Sequence, residues 1–181
     1  MFRDLRADEI ECRVSRIVES KKTGKVGVVL LLYKDARADM NVLDDEVGPM
    51  NWQCRYSRNN ANCEVGIYDP VKKDWIWKED TGTESNTEAE KGLASDSFKR
   101  ACFKWGIGRA LYTAPLIWVD STNCESLFQD NQNKWKCLDT FGVRLIDYED
   151  GVISNLVIEN KKHVVVYTYD KKGEHARGAQ R

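Results

Sequence analysis

The sequence has no hydrophobic run long enough to cross a membrane. Its longest strongly apolar stretch, Val26–Tyr33, falls far short of the length that a bilayer requires, and the N-terminal MFRDLRADEI lacks the apolar run of a signal peptide. An excess of one charge is also missing, because 28 basic residues stand against 29 acidic ones. No global field therefore draws the chain to nucleic acid or membrane, and an electrostatic site must come from local segregation of charge. These absences predict a soluble cytoplasmic protein with no membrane partner.

The motifs of common catalytic and cofactor sites are also missing. No G-x-x-x-x-G-K-[ST] phosphate loop occurs, and Gly106-Ile107-Gly108 follows a predicted helix and lacks the third glycine of a dinucleotide fingerprint. With only 2 histidines and no C-x-x-C, a zinc site lacks support. The 6 cysteines are widely spaced and are predicted to be free thiols of a reducing cytoplasm. We therefore expect a protein that is not an enzyme and that uses no cofactor or metal.

Carboxylates are abundant in the acidic stretch 79–90, which leaves a metal-dependent nuclease open as an alternative. The residues that could hold the metal are Glu79, Asp80, Glu84, Glu88 and Glu90. The favoured explanation is helix capping beside a solvated loop, since two overlapping capping boxes pair Ser85 with Glu88 and Thr87 with Glu90.

Hydrophobic periodicity predicts an α+β fold in a chain whose 41% hydrophobic residues can form a core. Asp35 is expected to cap a helix that carries Ala36, Met40, Leu43 and Val47 on its buried face and stops at Gly48-Pro49. A longer helix follows the acidic stretch, runs to about Trp105 and ends at Gly106 and Gly108. The predicted strands form a hairpin at 11–17 and 26–33, a meander at 52–56, 63–68 and 75–80, and a second meander at 141–148, 153–159 and 163–169.

These elements suggest a division of the chain near residue 120. Residues 1–119 would form the functional core. Residues 120–181 would hold a polar linker at 121–134, the small C-terminal meander and the basic tail HARGAQR.

The long helix carries two different faces. Its buried face is predicted to hold Ala94, Phe98, Ala101, Cys102 and Trp105. Phe103 points nearly opposite, in a second stripe with Gly92, Asp96, Lys99 and Arg100.

The second stripe lies in a segment without acids. Residues 97–119 contain Lys99, Arg100, Lys104 and Arg109 and no carboxylate. An aromatic among cations is typical of single-strand binding surfaces. A contact with a neighbouring subunit remains the alternative for Phe103, because Gly92 on the same stripe would let another backbone approach.

A second group of cations occupies the predicted hairpin tip. Lys21, Lys22 and Lys25 project there around Gly24. A solvated turn is the favoured interpretation, and a second nucleic-acid contact through Lys22 and Lys25 is the alternative.

Three motifs in order along the chain resemble the Rad fifty-two/twenty-two family of single-strand annealing proteins, especially its shorter bacterial and bacteriophage members. They are ARADMNVLDDEVGPMNWQ at 36–53, WIWKEDTGTESNTEAEKG at 75–92 and SDSFKRACFKWGIGRALY at 95–112. The resemblance covers about residues 37–112 and does not extend to 121–181.

The resemblance implies a β-β-β-α core, assembly into a homo-oligomeric ring or arc, and single-stranded DNA in a basic outer groove. It implies annealing of complementary strands without ATP, through an annealed duplex intermediate, in homologous recombination and DNA repair. A host single-strand binding protein is a further candidate partner, and the cell would be a bacterium or a phage host.

Site residues follow from the resemblance position by position. The Lys-Arg pair of the family's groove is matched by Lys99 and Arg100, and a basic residue on the earlier helix is matched by Arg37. The family's further cation falls on Phe103, which is a departure, and the adjacent Lys104 is expected to take over that phosphate contact. Two alternatives stay open besides annealing: the nuclease, and an oligomeric scaffold that does not bind DNA.

Overall fold

The computed structural model of the protein describes residues 2–20, 23–83 and 89–173, with only the backbone of residues 89–91. Its two α-helices are α1, Ala36–Val47, and α2, Ala89–Trp105. The strands in chain order are β1 Glu11–Glu19, β2 Val26–Tyr33, β3 Trp52–Ser57, β4 Asn62–Asp69, β5 Asp74–Thr81, β6 Ile117–Asp120, β7 Leu127–Gln129, β8 Trp135–Cys137, β9 Phe141–Glu149, β10 Val152–Asn160 and β11 Val165–Asp170. This mixture of antiparallel sheets and helices confirms the α+β class.

The chain forms two compact units, and their boundary differs from the one expected near residue 120. The helical unit consists of Met1–Leu5 and Lys34–Arg109, and the sheet unit of Arg6–Tyr33 and Ala110–Arg181. The first hairpin thus belongs with the C-terminal strands, because its edges pair with β9 on one side and β6 on the other.

In the helical unit, β3, β4 and β5 form a three-stranded antiparallel sheet with α2 packed against it. Alternation along β4 turns Cys63, Val65 and Ile67 into the interior. On α2, Phe98, Ala101 and Cys102 are fully buried, while Ala94 and Trp105 are half-buried. The buried face predicted for this helix is therefore confirmed at its centre.

The first helix begins and ends where the sequence predicts, but a different face is buried. The Asp35 carboxylate caps it by accepting hydrogen bonds from the backbone N–H groups of Arg37 at 2.8 Å and Ala38 at 3.0 Å. The residues buried on α1 are Ala38, Asp39, Val42 and Leu43. The predicted face is confirmed only at Leu43, and its other members, Ala36, Met40 and Val47, are half-buried. The buried face is rotated because Asp39, a charged residue, occupies the interior beside a lysine.

The sheet unit is built on one antiparallel sheet with the strand order β11-β10-β9-β1-β2-β6. Its core includes Val28, Leu30, Ile117, Leu156 and Ile158, all almost completely buried. The C-terminal meander was expected to be a small separate element, but it is part of this larger sheet. It continues into β1 through the pairing of Cys12 with Phe141, because only the combined sheet buries these apolar faces.

The segment 121–134 is not a structureless linker. Asp120 caps a short 3-10 helix, Ser121–Asn123, by accepting a hydrogen bond from the N–H of Thr122 at 2.9 Å. Strands β7 and β8 then form a hairpin whose turn is held by Asp130, which accepts from Gln132 and Lys134. Its polar composition serves side-chain-to-backbone hydrogen bonds, which the hydropathy pattern does not reveal.

Neither of the described α-helices combines the length and the apolar composition of a membrane span.

Candidate functional site

The C-terminal end of α2 is closed by two glycines. Gly106, at φ 105°, donates its N–H to the Phe103 carbonyl at 3.0 Å, and Ile107 donates to the Cys102 carbonyl at 3.2 Å. This pair of hydrogen bonds is the Schellman arrangement, which requires a left-handed residue at the helix end. Gly106 therefore terminates a helix. This role accounts for the first glycine of Gly106-Ile107-Gly108, which resembles only part of a dinucleotide fingerprint.

Gly108 has a different task, because the loop after α2 passes over a buried lysine. A Cβ atom at Gly108 would lie 2.8 Å from Cδ of Lys34. The Lys34 ammonium donates a hydrogen bond to the carbonyl of Ile107 at 3.1 Å and forms an ion pair with Asp39. Both side chains are buried or nearly so, and burial raises the pKa of Asp39 to about 6, against the opposing charges of Lys34 and Lys99.

Two cations donate hydrogen bonds to backbone carbonyl groups at the end of α2. Arg109 donates from Nε to the Phe103 carbonyl at 2.8 Å and from Nη2 to the Lys104 carbonyl at 2.7 Å. Lys78, from β5, donates to the same Lys104 carbonyl at 3.1 Å and lies 4.2 Å from the ring centre of Trp105. The negative end of the helix dipole favours cations at this position. These contacts use backbone carbonyls, so they hold the cations in place without neutralising them.

Phe103 is half-buried and contacts one of these cations. The Arg109 guanidinium carbon lies 5.5 Å from the centre of the Phe103 ring, within the range of a cation–π contact. The phenylalanine on the outer stripe thus helps to position Arg109, and part of its ring remains open to solvent.

The remaining cations of the outer stripe differ in their acidic partners. Arg100 pairs with Asp96 at 3.0 Å, and Lys104 Nζ lies 3.7 Å from an Asp80 carboxylate oxygen. Burial would raise the pKa of Asp96, but hydrogen bonds from the Thr83 N–H and the Arg100 guanidinium bring it below its usual value. Asp96 is therefore ionised and holds Arg100 in place.

Three cations of this region have no carboxylate within ion-pairing distance among the residues that the structure describes: Lys78, Lys99 and Arg109. We call the combined surface the α2 basic stripe, defined as Lys99, Arg100, Phe103, Lys104 and Arg109, with Lys78 beside its C-terminal end. The number of positive charges on this surface exceeds the two negative charges of its acidic partners, Asp80 and Asp96. An anion of extended shape is the ligand that such a surface favours.

The other residues that the sequence predicts to contact DNA are Arg37, Lys22 and Lys25, and the ion pairs found for Arg37 and Lys25 join them to residues outside the α2 basic stripe. Arg37 lies on α1 with 87% of its side chain exposed and pairs with Asp35 at 3.2 Å. Lys25 belongs to the sheet unit, where its Nζ lies 3.9 Å from an Asp120 carboxylate oxygen. Lys22, together with Lys21, lies outside the described residues.

The described part of the acidic stretch does not gather its carboxylates. Glu79 accepts a hydrogen bond from the Asn62 amide, whereas Asp80 faces Lys104 on the other side of β5. Glu84, Glu88, both predicted capping boxes and the side chain of Glu90 lie outside the described residues. No group of metal-ligating atoms in the described part of the chain includes Glu79 or Asp80.

Sequence reasoning missed Lys78 and the Lys34–Asp39 pair. Lys78 shares one face of β5 with Ile76 and Asp80, and this face is the α2 side of the sheet. The two-residue spacing was the available signal. No comparable signal marks Lys34 and Asp39, whose burial depends on each other.

Comparison with known proteins gives one relative of partial coverage. The chain is 33% identical over 94 residues to the protein named "Single-stranded DNA-binding protein DdrA" of Deinococcus radiodurans. The matched region covers 51% of this chain and 45% of that relative, so the match spans less than half of the relative's length. No protein-family model matches the chain, and no solved structure matches it.

Proposed function

We propose that the protein binds single-stranded DNA along the α2 basic stripe. The observation that carries the proposal is the set of cations fixed at the end of α2 by backbone carbonyls, with a partly exposed phenylalanine among them. These fixed cations, Arg109 and Lys78, would contact phosphates together with the other cations of the stripe, and Phe103 would stack on a base. The other cations are Lys99, Arg100 and Lys104. The name of the partial relative, a single-stranded DNA-binding protein, supports the same ligand.

The arrangement favours a single strand over a duplex for a physical reason. A base is available for stacking on Phe103 only when it is not already stacked within a duplex. Phosphate contacts to Lys99 and Arg100 would hold the strand while its bases stay exposed to a second strand.

We further propose that bound strands are annealed to complementary ones without ATP, in homologous recombination and repair. The support is the resemblance of residues 37–112 to single-strand annealing proteins, together with the lack of a phosphate loop in the sequence. Annealing makes and breaks no covalent bond, so the protein is proposed not to be an enzyme.

An annealing assay tests this function against the nuclease alternative. Two complementary labelled oligonucleotides are mixed with the protein in the presence of a chelator and without ATP. Pairing faster than the spontaneous rate is expected. A requirement for ATP, or cleavage of the labelled strand once a divalent metal is added, would contradict the proposal.

The resemblance also supports a ring or arc of many subunits, in which neighbouring stripes would form one continuous groove. Light scattering is expected to show a large homo-oligomer. A monomer near the chain mass of 20.8 kDa, both alone and with single-stranded DNA, would contradict this assembly.

A further inference from the structure

Three metal-ligating side chains meet at the base of the β7–β8 hairpin. The Sγ atoms of Cys124 and Cys137 and a carboxylate oxygen of Asp139 all lie within 4.8 Å of one another. All three side chains are half-buried. Cys124 precedes β7, Cys137 is the last residue of β8, and Asp139 follows two residues later. Because Cys124 is far from the other two along the chain, the sequence does not show a metal-binding motif here.

Backbone hydrogen bonds hold the Asp139 carboxylate in position. The Asp139 carboxylate accepts from the N–H of Glu125 at 3.1 Å and from that of Ser126 at 3.0 Å. The Leu138 N–H donates to the Ser126 carbonyl at 3.0 Å, which closes the base of the hairpin. The Cys137 thiol lies 3.4 Å from the nearer Asp139 oxygen. The carboxylate is therefore anchored before any ion arrives.

The spacing suits a small tetrahedral ion. Zinc binds thiolate sulfur at about 2.3 Å and carboxylate oxygen at about 2.0–2.2 Å, which separates neighbouring ligand atoms by roughly 3.5–3.8 Å. The present separations need to contract by about 1 Å at most, which small side-chain rotations can supply. Two sulfur ligands favour zinc over magnesium or calcium, which prefer oxygen.

We propose that Cys124, Cys137 and Asp139 form a binding site for a zinc-class divalent ion, with water as the fourth ligand. The ion would tie the residue before β7 to those at the end of β8.

The proton balance of binding follows from ordinary thiol chemistry. A metal ion binds the thiolate form of cysteine, and an ordinary cysteine is protonated at neutral pH, so binding of one ion releases two thiol protons and the net charge of the cluster stays unchanged.

A bound ion at this position would stabilise the β7–β8 hairpin. Strands β7 and β8 have only three residues each, and a two-stranded hairpin of this size is at best marginally stable by itself. Cys124, Leu127 and Cys137 pack against the core of the sheet unit. An ion that binds only the folded hairpin stabilises it by mass action.

Cobalt titration of the full-length chain tests the site. The reduced, metal-free protein is titrated with Co²⁺ and then with Zn²⁺. The expected result is a thiolate-to-cobalt charge-transfer band that saturates at one ion per chain, disappears on addition of zinc and accompanies the release of two protons per ion. The Cys124→Ser/Cys137→Ser variant is expected to lose the band, and the matched Cys54→Ser/Cys63→Ser variant, altered in the helical unit, is expected to keep it.

Four outcomes would overturn the proposal, the fourth of them for the Asp139→Asn variant. The first is the absence of a charge-transfer band at stoichiometric cobalt. The second is a band that persists in the Cys124→Ser/Cys137→Ser variant. The third is a Cys124–Cys137 disulfide, found by mass spectrometry, in protein purified from a reducing cytoplasm. The Asp139→Asn variant is a second test in case the serine variant misfolds, because the asparagine amide oxygen can still accept hydrogen bonds from the backbone N–H groups. This variant should keep the charge-transfer band and bind cobalt more weakly. Unchanged cobalt affinity would also contradict the site.

Discussion

Arg109 contacts Phe103 twice, through a hydrogen bond from Nε to the Phe103 carbonyl at 2.8 Å and through its guanidinium over the ring at 5.5 Å. The outward phenylalanine of α2 is thereby linked to the cation that caps the same helix. Substitution of Phe103 should therefore separate the contribution of base stacking to DNA affinity from the contribution of charge.

Phe103→Ala is expected to weaken single-stranded DNA binding by about 1–3 kcal/mol, the usual range for loss of one base-stacking aromatic. The slope of affinity against salt should stay almost unchanged, because no charge is removed. Anisotropy titrations at several salt concentrations, each paired with a particle-size measurement, check this.

Phe128→Ala is the matched control for Phe103→Ala, since Phe128 is an exposed phenylalanine of the sheet unit. It should leave DNA affinity unchanged. A Phe103→Ala protein whose particle size changes at unchanged affinity would assign Phe103 to a subunit contact instead.

The buried Lys34–Asp39 pair predicts a non-additive effect on stability. Removal of one partner leaves the other charge buried and unpaired, so Lys34→Met and Asp39→Leu should each lower the free energy of unfolding by about 3–5 kcal/mol. The double variant should lie much closer to the wild type, because apolar side chains of similar volume can replace a buried pair. Denaturant titrations of the four proteins measure the coupling, and additive losses would exclude it.

The same pair predicts a pH dependence. The pKa of Asp39 is raised to about 6 in the folded protein, so between about pH 6 and 4 the folded state binds a proton that the unfolded state does not. This group therefore makes the wild type more stable as the pH falls through that window, by about 1 kcal/mol per pH unit. The difference in unfolding free energy between the wild type and the double variant, measured at pH 7 and pH 5, should shift in favour of the wild type at pH 5. A difference that does not change would mean that Asp39 has an ordinary pKa.

Removal of residues 121–181 is expected to unfold the sheet unit. The deletion takes away Phe141, Ile153, Leu156, Ile158, Val166 and Tyr167, all buried in its core. Burial of each is worth about 1.5–3 kcal/mol, and the total of about 9–18 kcal/mol is as large as the usual 5–15 kcal/mol stability of a domain. Thermal unfolding and aggregation measurements check this. A truncated protein with the wild-type melting temperature would contradict the pairing of β1 with β9.

Local patterns predicted the parts of this fold that depend on neighbouring residues. The Asp35 cap, the ends of α1 and the buried centre of α2 follow from capping chemistry and the 3.6-residue period, and the structure has them at the expected residues. The strands of the first hairpin and of the two meanders were also placed to within a few residues, because alternation and turn residues are local signals, whereas the short strands β6, β7 and β8 were not predicted.

Long-range partners were not predictable in the same way. The buried Asp39 looks solvent-exposed in any window of sequence, and only Lys34, fitted under Gly108, makes its burial tolerable. The order of the six-stranded sheet likewise depends on which edges meet, which no periodicity encodes. In the candidate site, charge segregation identified the cations of α2, but Lys78 is added by a strand and not by the helix.

The measurement that tests the central proposal most directly is the salt dependence of single-stranded DNA binding by Lys99→Ala/Arg100→Ala. Each phosphate contact on a single strand contributes about 0.7 to the slope of log K against log salt, so this variant should bind all sequences more weakly with a slope flatter by about 1–1.5. Lys72→Ala/Lys73→Ala removes the same charge from the β4–β5 turn of the same unit and should leave the slope unchanged. A Lys99→Ala/Arg100→Ala protein with wild-type affinity and slope would show that the α2 basic stripe is not the DNA site.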